Sequence, residues 1–393
     1  MAGMMTKPLR VLMLSDVYFP RINGVSTSIE TFRRDLHDHN VEVTLIAPDY
    51  LSGEQHPLVH RVPARQLPLD PEDRLMHWGK LNASAHSLAH KQFDVVHIQT
   101  PFTAHYAGVR FAKQHKLPVL TTYHTHFEEY FHHYLPLLPR PLLKASARRL
   151  ARTQCNGLSA IVVPSRAMEH TLRDYGVHAP VHILPTGIPV ERFRNGDGKT
   201  FRAKHEIPAE RPVALYVGRV AHEKNIGFLL EATQSMARLN PQFLLVVAGE
   251  GPALPALQKQ ARHLGIADNV RFIGYLDRET ELPGCYAAAD VFVFASRTET
   301  QGLVLLEAMA AGVPAYAFAE MGTKDILDPK RGAVIAPQEV PAFAEGLHAL
   351  LQDKERLQLL AAEARSWADE WSAPQRAKQL ADLYASLTPN HQA

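Results

Sequence analysis

The chain alternates short apolar runs with longer amphipathic segments, and it does so twice over; few folds accept that alternation. In the first half the apolar runs are Arg10–Leu14, Val41–Ala47, Val95–Ile98, Val119–Tyr123 and Ala160–Pro164. They have the length and continuity of strands buried on both faces. Between them, Val25–His39 and Thr103–His115 carry apolar residues at helical spacing. The second half repeats the rhythm, with strands expected at Val213–Val217, Phe243–Ala248, Val270–Ile273, Val291–Ala295, Ala315–Phe318 and Ala333–Ile335. Helices are expected at Ile226–Leu239, Pro252–Leu264, Leu303–Ala311 and Val340–Leu351. This is the βαβ pattern of parallel sheets covered by helices on both sides. Between the halves, Pro185-Thr-Gly-Ile-Pro-Val-Glu-Arg-Phe193 and Asn195-Gly-Asp-Gly198 gather Pro, Gly and Asn, and read as an interdomain linker. The expected architecture is α/β: two doubly wound, Rossmann-like domains facing a central cleft, over residues 1–190 and 200–370. In such domains ligands sit beyond the C-terminal ends of the strands, which makes the cleft the default active site.

Composition narrows the function. With 46% hydrophobic and 21% charged residues the chain is an ordinary folded protein rather than a disordered one. A net charge of +2 argues against a nucleic-acid binder. That balance hides an asymmetry: residues 1–190 hold 20 basic and 15 acidic side chains, the remainder 22 and 25, and 17 of the 22 histidines lie in the first part. The two cysteines, Cys155 and Cys285, stand 130 positions apart, so no disulfide framework is expected and a reducing compartment fits. The stretch Met1–Arg10 is too polar for a signal peptide, and no apolar run approaches the ~18 residues of a membrane span. The expectation is a cytoplasmic protein, or one lying on the membrane from the cytoplasmic side.

Four loops carry candidate chemistry. After the first strand, Asn23-Gly24 opens a helix; it either brings backbone amides to an anion or simply makes the turn. After the first strand of the second half comes Gly218-Arg219-Val-Ala-His-Glu-Lys224-Asn225. A fork-shaped and a point-like cation five residues apart suit a diphosphate, the alternative being a solvated basic loop. Ala248-Gly-Glu-Gly-Pro252 has Leu254 where a dinucleotide fingerprint needs its third glycine, so a hydride-transfer site is disfavoured. The fourth, Ser296-Arg-Thr-Glu299-Thr-Gln-Gly302-Leu-Val-Leu-Leu-Glu307, places two glutamates eight apart. Glu299 stands ahead of a helix, within reach of sugar hydroxyls. Glu307 falls among apolar neighbours, where a charge must be paired. The plainer reading makes one an N-terminal helix charge and the other a surface residue.

Glu299-x7-Glu307 within TETQGLVLLEAMAAGVP resembles the signature of the retaining glycosyltransferases of family 4, which have the GT-B architecture. GRVAHEKN, AGEGP and PTGIPVERF are similar to that family too, in the same order, over nearly the whole chain. The resemblance implies transfer of a hexose from a nucleotide-sugar. It makes Arg219 and Lys224 the holders of the diphosphate, Glu299 the partner of the donor sugar and Glu307 that of the ribose. The backbone of Gln301, Gly302 and Leu303 would meet phosphate or sugar, and Ile273 to Leu276, including Tyr275, would read the base. Gly24 would close on the diphosphate, and His124 would sit beside the sugar. It implies no metal or other cofactor, and that the C-terminal helices Leu357–Ser366 and Pro374–Leu387, residues 371–393 above all, cross back to the first domain. Two departures stand out: Asn23-Gly24 where many relatives have Gly-Gly, and Glu320-Met-Gly322-Thr-Lys-Asp325 where many have Gly-Gly followed by Glu.

The acceptor side is read from His124-Thr-His126-Phe-Glu-Glu-Tyr130-Phe-His132-His133-Tyr134 and from the basic segment after it. The HxH pattern raises zinc as an option; acceptor-facing or surface histidines are the favoured reading. From Tyr130 to Met168 there is no acid, yet Lys144, Arg148 and Arg152 share a helical stripe beside Arg149, with Leu143, Ala147, Leu150 and Ala151 opposite. A solvated face usually mixes signs, so this one suits an anionic membrane surface. Tyr130, Tyr134, Lys144, Arg148, Arg149 and Arg152 are thus the candidates for acceptor or membrane contact. The stretch resembles bacterial diacylglycerol glucosyltransferases, with phosphatidylinositol mannosyltransferases and sulfoquinovosyl transferases near by. UDP-glucose and a lipid hydroxyl are the implied substrates. The alternatives are a GDP-mannose-dependent enzyme, a soluble glycosyltransferase, a nucleotide-sugar epimerase and a non-catalytic sugar-nucleotide binder.

Overall fold

The computed structural model describes residues 7–50, 56–67, 70–124 and 140–388. They form two α/β units, one of residues up to Gly187 together with those from Ala373 onward, the other Ile188–Ser372.

The N-terminal unit is built on a seven-stranded parallel sheet in the order β3-β2-β1-β6-β7-β8-β9. Its strands are β1 (Leu9–Leu14), β2 (Val41–Pro48), β3 (Val59–Val62), β6 (Val95–Ile98), β7 (Val119–Thr122), β8 (Ala160–Val163) and β9 (Val181–Ile183). A separate antiparallel pair, β4 (Ala64–Leu67) and β5 (Asp70–Met76), follows β3. The five expected strands are present within a residue or so of their predicted ends. The edge strands β3 and β9 went unpredicted because Val-His-Arg-Val and Val-His-Ile are short and interrupted by polar residues. The central strands are buried, apart from half-buried Arg10 of β1, since helices cover both faces. These helices are α1 (Gly24–Leu36), α2 (Trp78–Ser87), α3 (Thr103–His115), α4 (Arg140–Cys155) and α5 (Arg166–Asp174). Helix α1 starts where the Asn23 side chain accepts from the Ser26 amide at 2.8 Å.

The C-terminal unit has a six-stranded parallel sheet in the order β12-β11-β10-β13-β14-β15. Its strands are β10 (Val213–Val217), β11 (Leu244–Ala248), β12 (Val270–Gly274), β13 (Val291–Phe294), β14 (Ala315–Ala317) and β15 (Ala333–Ile335). Its helices are α6 (Val190–Arg194), α7 (Gly198–Lys204), α8 (Ile226–Leu239), α9 (Leu254–His263), α10 (Leu282–Ala287), α11 (Leu303–Ala310), α12 (Lys324–Leu327), α13 (Val340–Gln352) and α14 (Lys354–Asp369). One continuous apolar core runs from Ile188 to Trp371. The last helix, α15 (Ala373–Leu387), belongs to the N-terminal unit, where it lies against α1 and buries Ala377, Leu380 and Tyr384. Helix α14, expected to accompany it, belongs to the C-terminal unit.

Asn195-Gly-Asp-Gly198 lies within the C-terminal unit and is packed there. The Asp197 side chain caps α7 through the Thr200 amide at 3.0 Å. A Cβ on Gly196 would stand 2.1 Å from the Pro283 carbonyl oxygen, and one on Gly198 2.2 Å from that of Ala287. These glycines admit the close approach of α10.

In both sheets the order reverses at the first strand of the unit: β1 lies between β2 and β6, and β10 between β11 and β13. The loops leaving β1 and β6, and those leaving β10 and β13, therefore diverge and open a crevice at the C-terminal edge of each sheet.

Candidate active site

The reversal at β10 brings distant residues of the C-terminal unit together. Lys224 follows β10 and Glu299 follows β13, and Lys224 Nζ meets Glu299 Oε1 at 2.5 Å. Both side chains are largely shielded, at 22% and 17% exposure. Lys224 stands two residues before α8, whose start is fixed by left-handed Asn225 and its side-chain bond to the Ala295 carbonyl at 3.1 Å. Arg219 is exposed on the same loop and forms no ion pair among the described residues. One cation is thus held in place and the other projects from the β10 loop.

The loop before α11 is shaped for an anion. Gly302 caps the helix in the left-handed region, φ 92°, and makes no side-chain cap bond to its first amides. Gln301 and Gly302 are buried, and Leu303 begins the helix half-buried. The 320–323 segment supports the turn from behind. The Gly322 amide donates to the Glu299 carbonyl at 2.9 Å, and a Cβ on Gly322 would lie 2.0 Å from the Thr300 carbonyl oxygen. Sequence alone leaves this segment without a role; in the fold it buttresses Glu299.

Glu307 lies just over one turn into α11, 2% exposed. Arg278 Nη2 donates to Oε1 at 2.5 Å and the Tyr286 hydroxyl to Oε2 at 2.7 Å. The carboxylate holds the Arg278 guanidinium above its ordinary pKa, although burial opposes this. The pairing that an apolar helix demands of Glu307 is met by Arg278 and Tyr286, neither of which stands out in the sequence as a site residue. Arg278 lies in the loop after β12, and only the packing of that loop on α11 marks it. Ile273, near the end of β12, is half-buried, and Tyr275, just after it, is 51% exposed.

The glycines of Ala248-Gly-Glu-Gly-Pro252 serve a different purpose from phosphate approach. A Cβ on Gly249 would stand 2.0 Å from the Gly218 carbonyl oxygen and one on Gly251 2.3 Å from that of Val220. The Val220 amide donates to the Glu250 carbonyl at 2.8 Å, and the Ala253 amide to the Val220 carbonyl at 3.0 Å. The β11 loop thereby fastens the β10 loop, and so sets the course of the backbone between Arg219 and Lys224.

In the N-terminal unit Gly24 is exposed at the start of α1, with open space around it. Asp16, at the end of β1, is 4% exposed and crosses the reversal point to the β6 side. It accepts from Thr100 Oγ1 at 2.8 Å, from the Thr103 hydroxyl, and from the Ala104 amide at 3.1 Å. It thereby caps α3, whose own cap position, Phe102, offers no side-chain acceptor. Burial pushes its carboxyl up to about 6 despite these donors.

His124, after β7, places Nε2 2.8 Å from Gln99 Oε1. An amide oxygen only accepts, so Nε2 carries the proton and Nδ1 is left as the acceptor. Burial pushes this histidine down to about 4, so the ring is neutral near pH 7. A small cavity beyond β6 and β7 is lined by Gln99, His105, Thr122, His124, Gln154 and Cys155. Beneath it, His97 gives one ring nitrogen to Tyr384 of α15 at 2.6 Å and the other to Thr122 at 2.7 Å. Gln99 and His97 sit within the apolar-looking run DVVHIQ and were missed because only packing marks them.

Tyr130, Tyr134, His126, His132 and His133 lie outside the described residues. The basic helix α4 buries Leu143, Ala147 and Ala151 and leaves Lys144, Arg149 and Arg152 exposed. Arg148 departs from the expected stripe: it is half-buried, with its guanidinium 6.0 Å from the Tyr175 ring centre. The helix turns that position towards the end of α5, so three cations rather than four face outward. No helix among the described residues is long and apolar enough to cross a membrane.

Comparison with known proteins places these features in a family. Residues 22–192 match the family described as Glycosyltransferase Family 4, and residues 197–367 that described as Glycosyl transferases group 1. An alpha-monoglucosyldiacylglycerol synthase of Streptococcus pneumoniae is 31% identical over 332 residues, covering 82% of this chain and 74% of its own. A GDP-mannose-dependent alpha-(1-6)-phosphatidylinositol monomannoside mannosyltransferase of Mycolicibacterium smegmatis is 31% identical over 264 residues, covering 64% of this chain and 68% of its own. Among solved structures, sucrose-phosphate synthase from Thermosynechococcus elongatus shares the fold, with a TM-score of 0.78 at 21% identity over 97% of this chain and 100% of that one. The chain belongs to the family 4 glycosyltransferases of GT-B architecture, and it is a glycosyltransferase.

Proposed function

We propose that the chain transfers a glucosyl residue from UDP-glucose to the free hydroxyl of diacylglycerol, with retention of configuration, as a peripheral enzyme on the cytoplasmic face of the membrane. The observation that carries the donor half is the shielded Lys224–Glu299 pair beside the uncapped start of α11. A diphosphate arriving there draws on Lys224, on Arg219 and on the amides at Gly302 and Leu303. Glu299 is then free to accept from sugar hydroxyls, while Ile273 and Tyr275 meet the base and Glu307 the ribose. Negative charge grows on the diphosphate as the glycosidic bond breaks, and preformed positive groups stabilise that change without reorganising. The acceptor hydroxyl bonds to the anomeric carbon on the face the diphosphate leaves, and its proton passes to a phosphate oxygen. No side-chain nucleophile and no metal is required by this route. His124, neutral and oriented by Gln99, stands beside the sugar as a hydrogen-bond partner.

The acceptor half is supported by the pneumococcal relative and by the outward cations Lys144, Arg149 and Arg152 of α4. The mannosyltransferase likeness favours a second reading, GDP-mannose with a phosphatidylinositol-type acceptor. Vesicles containing diacylglycerol and anionic lipid, incubated with radiolabelled UDP-glucose, GDP-mannose and other nucleotide-sugars, separate the two. Label from UDP-glucose entering the lipid phase supports the proposal. Label from GDP-mannose alone, or from no donor, contradicts it.

A further inference from the structure

Strand β10 reads Val213-Ala-Leu-Tyr216-Val217, and the only polar side-chain atom in it is the Tyr216 hydroxyl. The ring is buried and stacks on Phe294 of β13, with centres 5.9 Å apart and planes 11° from parallel. That packing asks only for a phenyl ring, so the hydroxyl needs a separate account. A buried tyrosine hydroxyl finds a hydrogen-bond partner. Here it donates to the Arg219 carbonyl at 3.1 Å, beyond the end of its own strand. Gly218 leaves room for the bond, since a Cβ there would stand 2.9 Å from the hydroxyl oxygen. Burial first, and then the carboxylates of Glu299 and Glu223, hold the hydroxyl well above its ordinary pKa, so it stays a donor at neutral pH.

The two cations of the β10 loop are held by different means. Lys224 is gripped at its side chain by Glu299, and the turn after it is tied to the Ala295 carbonyl through Asn225. Arg219 forms no ion pair among the described residues, so its side chain is aimed by the backbone that carries it. That backbone is fixed at the Arg219 carbonyl, which accepts from Tyr216 and also from the Ala221 amide at 3.1 Å. The next residue, Val220, is bonded to the β11 loop through both its amide and its carbonyl. Of these ties, the Tyr216 bond is the one made by a side chain, and a single oxygen atom carries it. A long side chain magnifies any rotation of the backbone beneath it, so losing this bond moves the guanidinium more than it moves the loop.

We propose that Tyr216 is a positioning residue of the donor site, whose hydroxyl sets the Arg219 backbone so that the guanidinium meets the diphosphate without reorganising. This rests on the reading of Arg219 as a holder of the diphosphate. It assigns the aiming of Arg219 to a hydroxyl in the core of the sheet and separates it from the aiming of Lys224.

The test is a double-mutant cycle on the full chain. Tyr216→Phe keeps the stacked ring and removes the donor. Calorimetry titrates UDP-glucose and GDP-mannose in parallel, and the cycle is read with the donor that binds; the stoichiometry of the same titration reports the folded fraction. Tyr216→Phe is expected to weaken binding about fivefold, the size of one neutral hydrogen bond. Arg219→Ala is expected to weaken it about tenfold, and Tyr216→Phe/Arg219→Ala no further, because no guanidinium is left to aim. In the Lys224→Ala background Tyr216→Phe is expected to cost its full factor again, since Lys224 is held independently. A hydroxyl that serves stability alone would lower affinity by one factor in all three backgrounds. That outcome, undiminished binding in Tyr216→Phe, or a loss that vanishes with Lys224→Ala instead, overturns the proposal and leaves Arg219 as a holder of the diphosphate. Wild-type affinity in Arg219→Ala, or binding of neither donor, overturns that reading and this proposal together.

Discussion

Lys224 and Glu299, 75 positions apart in the chain, meet at 2.5 Å because they leave the two strands that flank the reversal of the C-terminal sheet. The pair keeps a cation and a carboxylate in place in a partly shielded site. It makes the donor subsite sensitive to either partner. Lys224→Ala is expected to lower kcat about 10²- to 10³-fold, the loss typical of removing one preorganised charge-stabilising donor. It also leaves the Glu299 charge unpaired, so Tm falls. Lys224→Ala/Glu299→Gln is expected to recover Tm without recovering kcat. Recovery of both would reduce the pair to a structural one.

Gly322 supports Glu299 from outside the donor loop. An added methyl group would collide with the Thr300 carbonyl oxygen at 2.0 Å and the Gln301 nitrogen at 2.7 Å. Both are backbone atoms, so the turn itself must shift. Gly322→Ala is therefore expected to cut kcat/KM about tenfold or more, because small misplacements of positioning groups are costly in rate. Circular dichroism should show the fold intact. Undiminished kcat/KM in a folded variant contradicts the buttressing role.

Acid stability should reflect two buried groups working in opposite senses. His97 is pushed down to about 3 by burial, so its contribution is whole above pH 6.5 and is lost as pH falls towards 3. Asp16 is pushed up to about 6, so the folded state holds a proton that the unfolded chain releases near 3.8; stability from this group falls as pH rises through that window. His97→Gln is expected to narrow the loss of stability between pH 7 and 4.5, and Asp16→Asn to widen it. Urea midpoints at the two pH values provide the check. Changes of the same sign in both variants would contradict the assignment.

Helix α4 presents Lys144, Arg149 and Arg152 outward. Arg149→Gln and Arg152→Gln are each expected to weaken binding to phosphatidylglycerol vesicles about fivefold, near 1 kcal/mol per cation. Arg148→Gln should have less effect on binding and more on stability, because its guanidinium packs over Tyr175. Flotation assays at two salt concentrations measure the difference; equal losses at Arg148 and Arg149 would return Arg148 to the outward face.

The parallel sheets were legible because buried strands are predominantly apolar, as in Val213–Val217. The short edge strands β3 and β9 were not, since pairing on one side tolerates polar residues. Single residues divided along the same line. Lys224 and Glu299 stand out in loops by type and spacing, and the apolar surroundings of Glu307 already demanded a partner. Which partner, Arg278 or another cation, depends on how β12 and α11 pack, and no local pattern carries that. Gly249 and Gly251 were legible as special positions, yet only the fold shows that they admit the backbone of the β10 loop. Asp16, Gln99 and His97 act across neighbouring strands, at sequence distances where periodicity holds no information.

Calorimetric titration with nucleotide-sugars is the most direct test of the central claim, that Lys224, Arg219 and the α11 loop grip an activated hexose. The account predicts saturable binding of UDP-glucose by the wild type, weakened about tenfold or more in both Lys224→Ala and Arg219→Ala, each of which removes charged hydrogen bonds to the diphosphate. Equal affinity in wild type and variants, or no heat with any sugar-linked nucleoside diphosphate, would contradict it.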